Sequence, residues 1–234
     1  MQLFYQENIR SDSFDLSPEE SKHLTRVLRK KQGDEIAVTD GKGVLYTCVI
    51  QETNQKKTTL KVCSSEAISP SDFYIHLAIA PTKSPDRMEW MVEKITEIGV
   101  HEITLLETSN SERSFLKTDR LEKKILSACM QSLKFRIPKL NPVIPLQTLL
   151  DSNDFENHQK YIAYVDNNHT HHLFDLAQVK GKYLILIGPE GDFDLKEIQM
   201  AFSKGFKPVS LGDSRLRTET AGFAAVQILQ LINR

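Results

Sequence analysis

From residue 73 onward, short apolar runs alternate with stretches in which apolar residues recur every three or four positions. A strand period alternating with a helix period predicts an α/β fold on a mostly parallel sheet. The predicted strands are 73–80, 102–107, 161–165, 183–187 and 209–211. The run at 183–187 is apolar on both faces and is therefore expected in the middle of the sheet. Met88, Met91, Val92, Ile95 and Ile98 form one face of a helix that stops at Gly99. Leu121, Ile125, Ala128 and Cys129 form the inward face of a second helix over 119–133. Asp194 and Glu197 make a capping-box pattern opening a third helix that ends at Gly205, and an alanine-rich helix follows over 219–232.

The first seventy or so residues have a different rhythm. Ser17, Pro18, Glu19 and Glu20 read as a capping box with proline at the first helical position. The helix they open runs through Leu24, Val27 and Leu28 and closes near Gly33. Three strand-like runs follow at 35–39, 44–51 and 58–64, the first two joined by a hairpin turn at Asp40, Gly41, Lys42 and Gly43. A short helix with a compact β meander makes a small barrel-like module over 1–70, with 64–72 as linker and 73–234 as the second domain.

Composition narrows the class. The chain has 234 residues, 40% hydrophobic and 26% charged, which is ordinary for a soluble globular protein of one large domain or two smaller ones. No apolar run approaches the roughly eighteen residues of a membrane span. The first eight residues lack the charged-then-apolar pattern of a signal peptide. The three cysteines, Cys48, Cys63 and Cys129, lack tight spacing and suit buried positions in a reducing cytoplasm. Net charge is −1, so any nucleic-acid contact must come from a local patch. Arg26, Arg29, Lys30 and Lys31 form one candidate; Lys123, Lys124, Lys134, Arg136 and Lys139 form another. A solvated helix face accounts for either more simply.

Candidate chemistry concentrates near the end of the chain. Leu184-Ile185-Leu186-Ile187-Gly188-Pro189-Glu190-Gly191-Asp192-Phe193 is a buried strand entering a glycine turn. Ser210-Leu211-Gly212-Asp213-Ser214-Arg215-Leu216-Arg217-Thr218-Glu219-Thr220-Ala221 is a second strand end entering a polar loop. Two such loops can meet at one edge of a parallel sheet, where open α/β folds bind ligands. Glycine permits a sharp turn and close approach to a ligand, and Pro189 stiffens the turn. A tight strand-to-helix connection explains the first loop alone equally well. The concentration of Arg215, Arg217, Glu219 and two threonines in the second favours binding. The loop of Ser111, Glu112, Arg113 and Ser114 follows another strand and reads, by itself, as a helix-entry loop. A Gly-x-Gly-x-x-Gly fingerprint, a Walker lysine and a Gly-x-Ser-x-Gly nucleophile are all missing. Histidines within 166–172 lack a partner group for a metal and read as a polar loop.

These two segments resemble motifs of the SPOUT methyltransferases, and within that superfamily the chain resembles the RsmE family of 16S ribosomal RNA uridine N3-methyltransferases. The likeness extends through residues 23–29, Gly33 and Asp34, Lys83, 87–100, 112–114, Gln131 and Ser132, 188–193 and 211–221. It implies a PUA-like RNA-binding domain followed by a SPOUT domain with a C-terminal trefoil knot, a homodimer, and a cytoplasmic enzyme without metal. It implies S-adenosylmethionine contacts at Ile187, Gly188, Pro189, Glu190, Gly191, Leu211, Gly212, Leu216 and Thr218. RNA contacts are expected at Arg26, Arg29, Lys30, Lys83 and Arg87. The target implied is uridine 1498 of 16S ribosomal RNA in the small subunit. Two departures are visible: the family commonly has glycine where Asp192 stands, and Pro-Arg-Ile where Asp213, Ser214 and Arg215 stand.

Methyl transfer from a sulfonium is an in-line displacement, so alignment is the enzyme's main task. Uracil N3 must first lose its proton, which places charge on O2 and O4. A fixed guanidinium stabilises that charge, with Arg217 the first candidate and Arg113 the second. Glu219 is the candidate proton acceptor. Two rivals are a 2′-O-ribose methyltransferase of the same superfamily and a non-catalytic RNA-binding assembly factor of the same fold.

Overall fold

In the computed structural model of the protein, which describes residues 2–9, 11–54, 56–112, 117–164 and 171–234, the chain forms two units. One comprises Met1–Pro70 with Cys129–Ile137; the other comprises Ser71–Ala128 with Pro138–Arg234.

The first unit is a five-stranded sheet in the order β1-β3-β4-β5-β2. Its strands are β1 (Leu3–Tyr5), β2 (Ser13–Asp15), β3 (Glu35–Thr39), β4 (Val44–Thr53) and β5 (Thr58–Ala67). The hairpin expected at 40–43 joins β3 to β4, whose pairing is antiparallel. Strands β1 and β2, too short to carry a period, cover the two edges of the meander. Strand β5 continues to Ala67, so the first part of the expected linker is paired with β4 rather than free. Cys48 is buried among Phe4, Leu24, Val38 and Leu60, whereas Cys63 is exposed on β5, contrary to expectation.

Helix α1 (Pro18–Lys22) is capped by Ser17, whose side chain accepts from the Glu20 amide. It passes into a π-helical turn over His23–Val27 and ends well before Gly33. The Thr25 hydroxyl donates to the Ser21 carbonyl at 2.8 Å, a back-bond that bends a helix. Arg29 then stops the helix in the left-handed region at φ 54°. Val27, expected to lie along this helix, is 67% exposed. Residues 129–137 join this unit through Arg136, which bridges to Lys42 and donates to the Ile68 carbonyl at 3.0 Å.

The second unit is a six-stranded sheet, β11-β9-β10-β6-β7-β8, parallel throughout. Its strands are β6 (Tyr74–Ile79), β7 (Glu102–Glu107), β8 (Lys139–Pro145), β9 (Gln159–Ala163), β10 (Lys182–Ile187) and β11 (Lys207–Val209). Strand β10 lies inside the sheet, as its two-faced apolarity predicts. Strand β8 contains Pro142 and Pro145, which hide it from pattern reading and suit the edge position it occupies. The last strand ends at Val209, two residues before the predicted end, leaving Leu211 in the following loop.

The helices are α2 (Pro85–Ile98), α3 (Asp119–Gln131), α4 (Leu146–Asp151), α5 (Leu173–Leu176), α6 (Leu195–Ser203) and α7 (Thr218–Ile232). Gly99 terminates α2 in the left-handed region at φ 110°, as its position predicts. The inward residues expected of α3 are all buried. Helices α4 and α6 pack with Ala78, Leu106, Ile162, Leu184 and Leu186 on one face of the sheet. Helix α7 packs against β6 and α2. Gly222 permits that approach: a Cβ there would lie 2.8 Å from Met91 Sδ and 2.9 Å from Ile79 Cδ1.

Candidate functional site

Strand β9 lies between β10 and β11, so the turn after β10 and the loop after β11 emerge at the same, C-terminal edge of the sheet. They enclose one cavity of about 720 Å³. Its walls are Ile187 to Glu190 and Asp192 on one side, Val209 to Thr218 and Ala221 on the other, with Ala163, Tyr164 and Arg87 completing it. This volume falls in the range of small-molecule sites.

The first wall is built by a chain reversal at the end of a strand that is buried from Tyr183 to Ile187. Gly188 sits tightly: a Cβ there would lie 3.1 Å from the Phe193 ring, which would have to give way by a few tenths of an ångström. The Asp192 amide donates to the Pro189 carbonyl at 3.0 Å and closes the turn. Asp192 itself is left-handed, at φ 63°, which is the conformation that glycine adopts freely. Its Oδ1 accepts from the Phe193 amide at 2.8 Å, a local bond that helps aspartate occupy this region. The capping box is complete: Asp194 Oδ1 accepts from the Glu197 amide, and Glu197 Oε2 accepts from the Asp194 amide. Glu190 lines the cavity while its Oε1 accepts from the Lys83 amide at 3.1 Å. Gly191 does not line the cavity; it faces Asn110 on the turn's other side.

The second wall begins where the Ser210 amide and carbonyl pair with His171 and Leu173, extending the sheet edge by one bridge. Gly212, at φ 130°, turns the chain, and Arg215 and Arg217 follow as exposed cations. Arg217 is the N-cap residue of α7 with an extended backbone and no capping side-chain bond. Thr218 and Glu219, the first two helical residues, are buried. Glu219 Oε1 lies 3.7 Å from Arg87 Nε, and its Oε2 is buried without a hydrogen-bond partner. A carboxylate is favoured in the first turn of a helix.

Eight of the nine residues expected to touch a cofactor therefore line one cavity, Gly191 being the exception. Arg217 lines it too, whereas Glu219 lies beside it under Arg87. Arg87, expected at RNA, is part of the cavity wall. The ammonium of Lys83 pairs with Glu112 at 2.9 Å. Arg113 and Ser114 lie outside the described residues, as do 166–170 of the histidine-rich loop. Arg26 and Arg29 are exposed in the first unit, where Lys30 is half-buried with its ammonium 3.4 Å from the Glu35 carbonyl. In the second basic group, Lys124 pairs with Glu93 and Lys139 with Glu102, so these two serve local ion pairs. Tyr164, Asn110 and the outer contact of Glu197 escaped sequence reading. Only the capping role of Glu197 has a sequence signal.

A second cavity, of about 570 Å³, lies at the opposite ends of the strands. Its floor is a polar tract across three strands: Tyr74 and His76, Glu102 and Thr104, Lys139 and Asn141. Tyr74, Lys139 and Asn141 all donate to the Glu102 carboxylate, and His76 Nε2 bonds Thr104 Oγ1 at 2.7 Å. Burial works against ionisation of Glu102, but neighbouring His76 and these donors hold its carboxyl at about 2. Burial pushes His76 down to about 4, against the pull of Glu102. These groups largely satisfy one another. Among the described residues, no cluster of histidine, cysteine and acidic side chains is placed to hold a metal, and no helix is long and apolar enough to cross a membrane.

Two family models match the chain. Residues 69–230 match an RNA methyltransferase domain, and residues 16–63 match an RNA methyltransferase PUA domain. A probable rRNA-methyltransferase from Porphyromonas gingivalis is 43% identical, with a TM-score of 0.93 over 100% of this chain and 98% of that one. The ribosomal RNA small subunit methyltransferase E of Neisseria gonorrhoeae, solved bound to S-adenosyl methionine, is 29% identical, with a TM-score of 0.89 over 100% and 98%. The protein of the same name from Aquifex aeolicus is 28% identical over 239 residues, 98% of this chain and 99% of its own.

Proposed function

The chain belongs to the RsmE family of ribosomal RNA methyltransferases, and from that premise we propose that it methylates N3 of one uridine of 16S ribosomal RNA, uridine 1498, in the small subunit. S-adenosylmethionine is the methyl donor. The observation that carries this reading is the single cavity formed by the two loops, apolar at Ile187, Leu211 and Leu216 and cationic at Arg87, Arg215 and Arg217.

The residues present fit the cofactor. Gly188 lets the backbone come close, Ile187, Leu211 and Leu216 offer apolar surface to a flat ring, and Thr218 adds a polar contact at the start of α7. Bound there, S-adenosylmethionine supplies an electrophilic methyl group on a sulfonium. Residues 210–218 then have two tasks: to hold the acceptor base in line and to stabilise it without its N3 proton. Arg217 takes the second task. Arg217 lines the cavity as the N-cap residue of α7, and its guanidinium offers paired donors to the charge on O2 or O4. Arg113 is the second candidate for this role. Glu219 is proposed to accept the N3 proton, which requires its buried carboxylate, beside the cavity rather than in its wall, to turn towards the base. Gly191 is proposed to act through the shape of the turn.

N3 lies on the Watson–Crick edge, so the target base must be unpaired or flipped out. Arg26, Arg29 and Lys30 in the PUA-like unit, with Lys83 beside the cavity, are proposed to hold the flanking phosphates. A C-terminal trefoil knot and a homodimer complete the proposed architecture.

The test is methyl transfer from labelled S-adenosylmethionine to small subunits from a strain lacking its own enzyme. Arg217→Ala should cut turnover at least a hundredfold while S-adenosylhomocysteine affinity changes by less than about threefold. Equal loss of both would remove Arg217 from the chemistry. Glu219→Gln should lower turnover by about 10²–10⁴. Retained turnover would leave it only the task of holding Arg87.

A further inference from the structure

The turn at 188–194 is held from outside by two residues that do not line the cavity. Asn110, in the loop after β7, donates through Nδ2 to the Asp192 carbonyl at 3.0 Å and to the Gly191 carbonyl at 3.3 Å. Its side chain packs where Gly191 has none: a Cβ on Gly191 would lie 3.2 Å from Asn110 Cβ. Glu197 is only 6% exposed, and its carboxylate divides its two oxygens between two segments. Oε2 accepts from the Asp194 amide at 2.9 Å, and Oε1 accepts from the Ser109 amide at 2.7 Å.

A capping box requires the first of these bonds and not the second. Burying a carboxylate is costly, and charge-assisted bonds to two amides offset that cost. The extra bond fastens the start of α6 to the loop after β7. The same loop supplies Asn110, so Gly191, Asp192 and Asp194 are all tied to it. Gly188, Pro189 and Glu190, which line the cavity together with the anchored Asp192, stand between the end of β10 and this anchored stretch. A turn ordered before its ligand arrives spares binding the entropy of ordering it.

We propose that Asn110 and Glu197 are positioning residues of the cofactor turn, acting through its outer carbonyls and amides and touching no part of the cofactor. The proposal rests on the reading of this cavity as the S-adenosylmethionine site. It assigns the donor atom of Asn110, rather than its bulk, as the working part.

Titration calorimetry with S-adenosylhomocysteine tests it on the full-length protein. Asn110→Ala removes bulk and donor; Asn110→Asp keeps the bulk and sets a carboxylate against two carbonyls. Both should weaken binding about tenfold, with Asp at least as severe as Ala. Asn110 is exposed, so melting temperatures should stay close to wild type. In steady state, the rise in KM for S-adenosylmethionine should exceed any fall in kcat. Glu197→Gln, which keeps one acceptor and misplaces a donor, should weaken binding in the same direction. Wild-type affinity in both Asn110 variants would overturn the proposal, and so would loss in the alanine variant alone, which is the signature of bulk. A wild-type chain that binds no S-adenosylhomocysteine would overturn the cofactor reading itself, an outcome distinguishable from either.

Discussion

Asp192 illustrates how a single departure from a family pattern is absorbed. The backbone there has φ 63°, and an L-residue in the left-handed region costs roughly 1–2 kcal/mol unless its side chain makes a local bond. Aspartate makes that bond, to the Phe193 amide. Asp192→Gly should therefore match wild-type stability to within about 1 kcal/mol, whereas Asp192→Ala should lose about 1–2 kcal/mol. Denaturant midpoints of the three proteins measure this, and an alanine variant as stable as wild type would contradict it. The resemblance implies glycine at this position, and a backbone at φ 63° is one that glycine adopts freely. Glu219 shows the converse limit. Its place at the start of α7 was legible from the Thr-Glu-Thr-Ala run, but its pairing with Arg87 was not, because 131 intervening residues separate the two.

At the scale of elements, apolar period located most strands and helices of the larger unit because each buries a continuous face. It failed at β8, where two prolines interrupt the run, and at β1 and β2, which have three residues each. It also gave no warning of the polar tract over β6, β7 and β8, whose members come together only through strand register. That tract makes stability depend on pH. His76 titrates near 4 in the folded protein and near its ordinary 6.5 when unfolded, so the unfolded state binds the extra proton first. Its contribution is present above pH 6.5 and is lost as pH falls towards 4, by up to about 3 kcal/mol. Glu102, held near 2, contributes above its ordinary 4.5, and that share is lost as pH falls through 2. Chemical denaturation from pH 8 to pH 3 should show this decline, and His76→Gln should flatten its upper part. An unchanged slope in the variant would assign the decline to other groups. Helix α7 offers a second test of packing. Gly222→Val places methyl groups against Met91 and Ile79 and should cost about 1–3 kcal/mol, read as a lowered denaturation midpoint.

For the whole molecule, the change of rhythm near residue 73 lies close to the passage from the first unit to the second between Pro70 and Ser71. The return of 129–137 to the first unit was not legible in the sequence, since it rests on the pairing of Arg136 with Lys42 and Ile68. A near-zero net charge says nothing about a local patch, so the proposed RNA contact must be tested directly. Reversing Arg26, Arg29 and Lys30 to glutamate should weaken RNA binding uniformly and flatten its dependence on salt. Unchanged affinity would return these residues to the role of a solvated surface. Residues 188–193 and 211–221 are proposed to bring S-adenosylmethionine and a uracil N3 together. That proposal is tested most directly by mass spectrometry of nucleosides from small subunits methylated in vitro by this protein. The expected product is one N3-methyluridine per subunit, lost with Arg217→Ala. Label in a 2′-O-methyl nucleoside instead would contradict it.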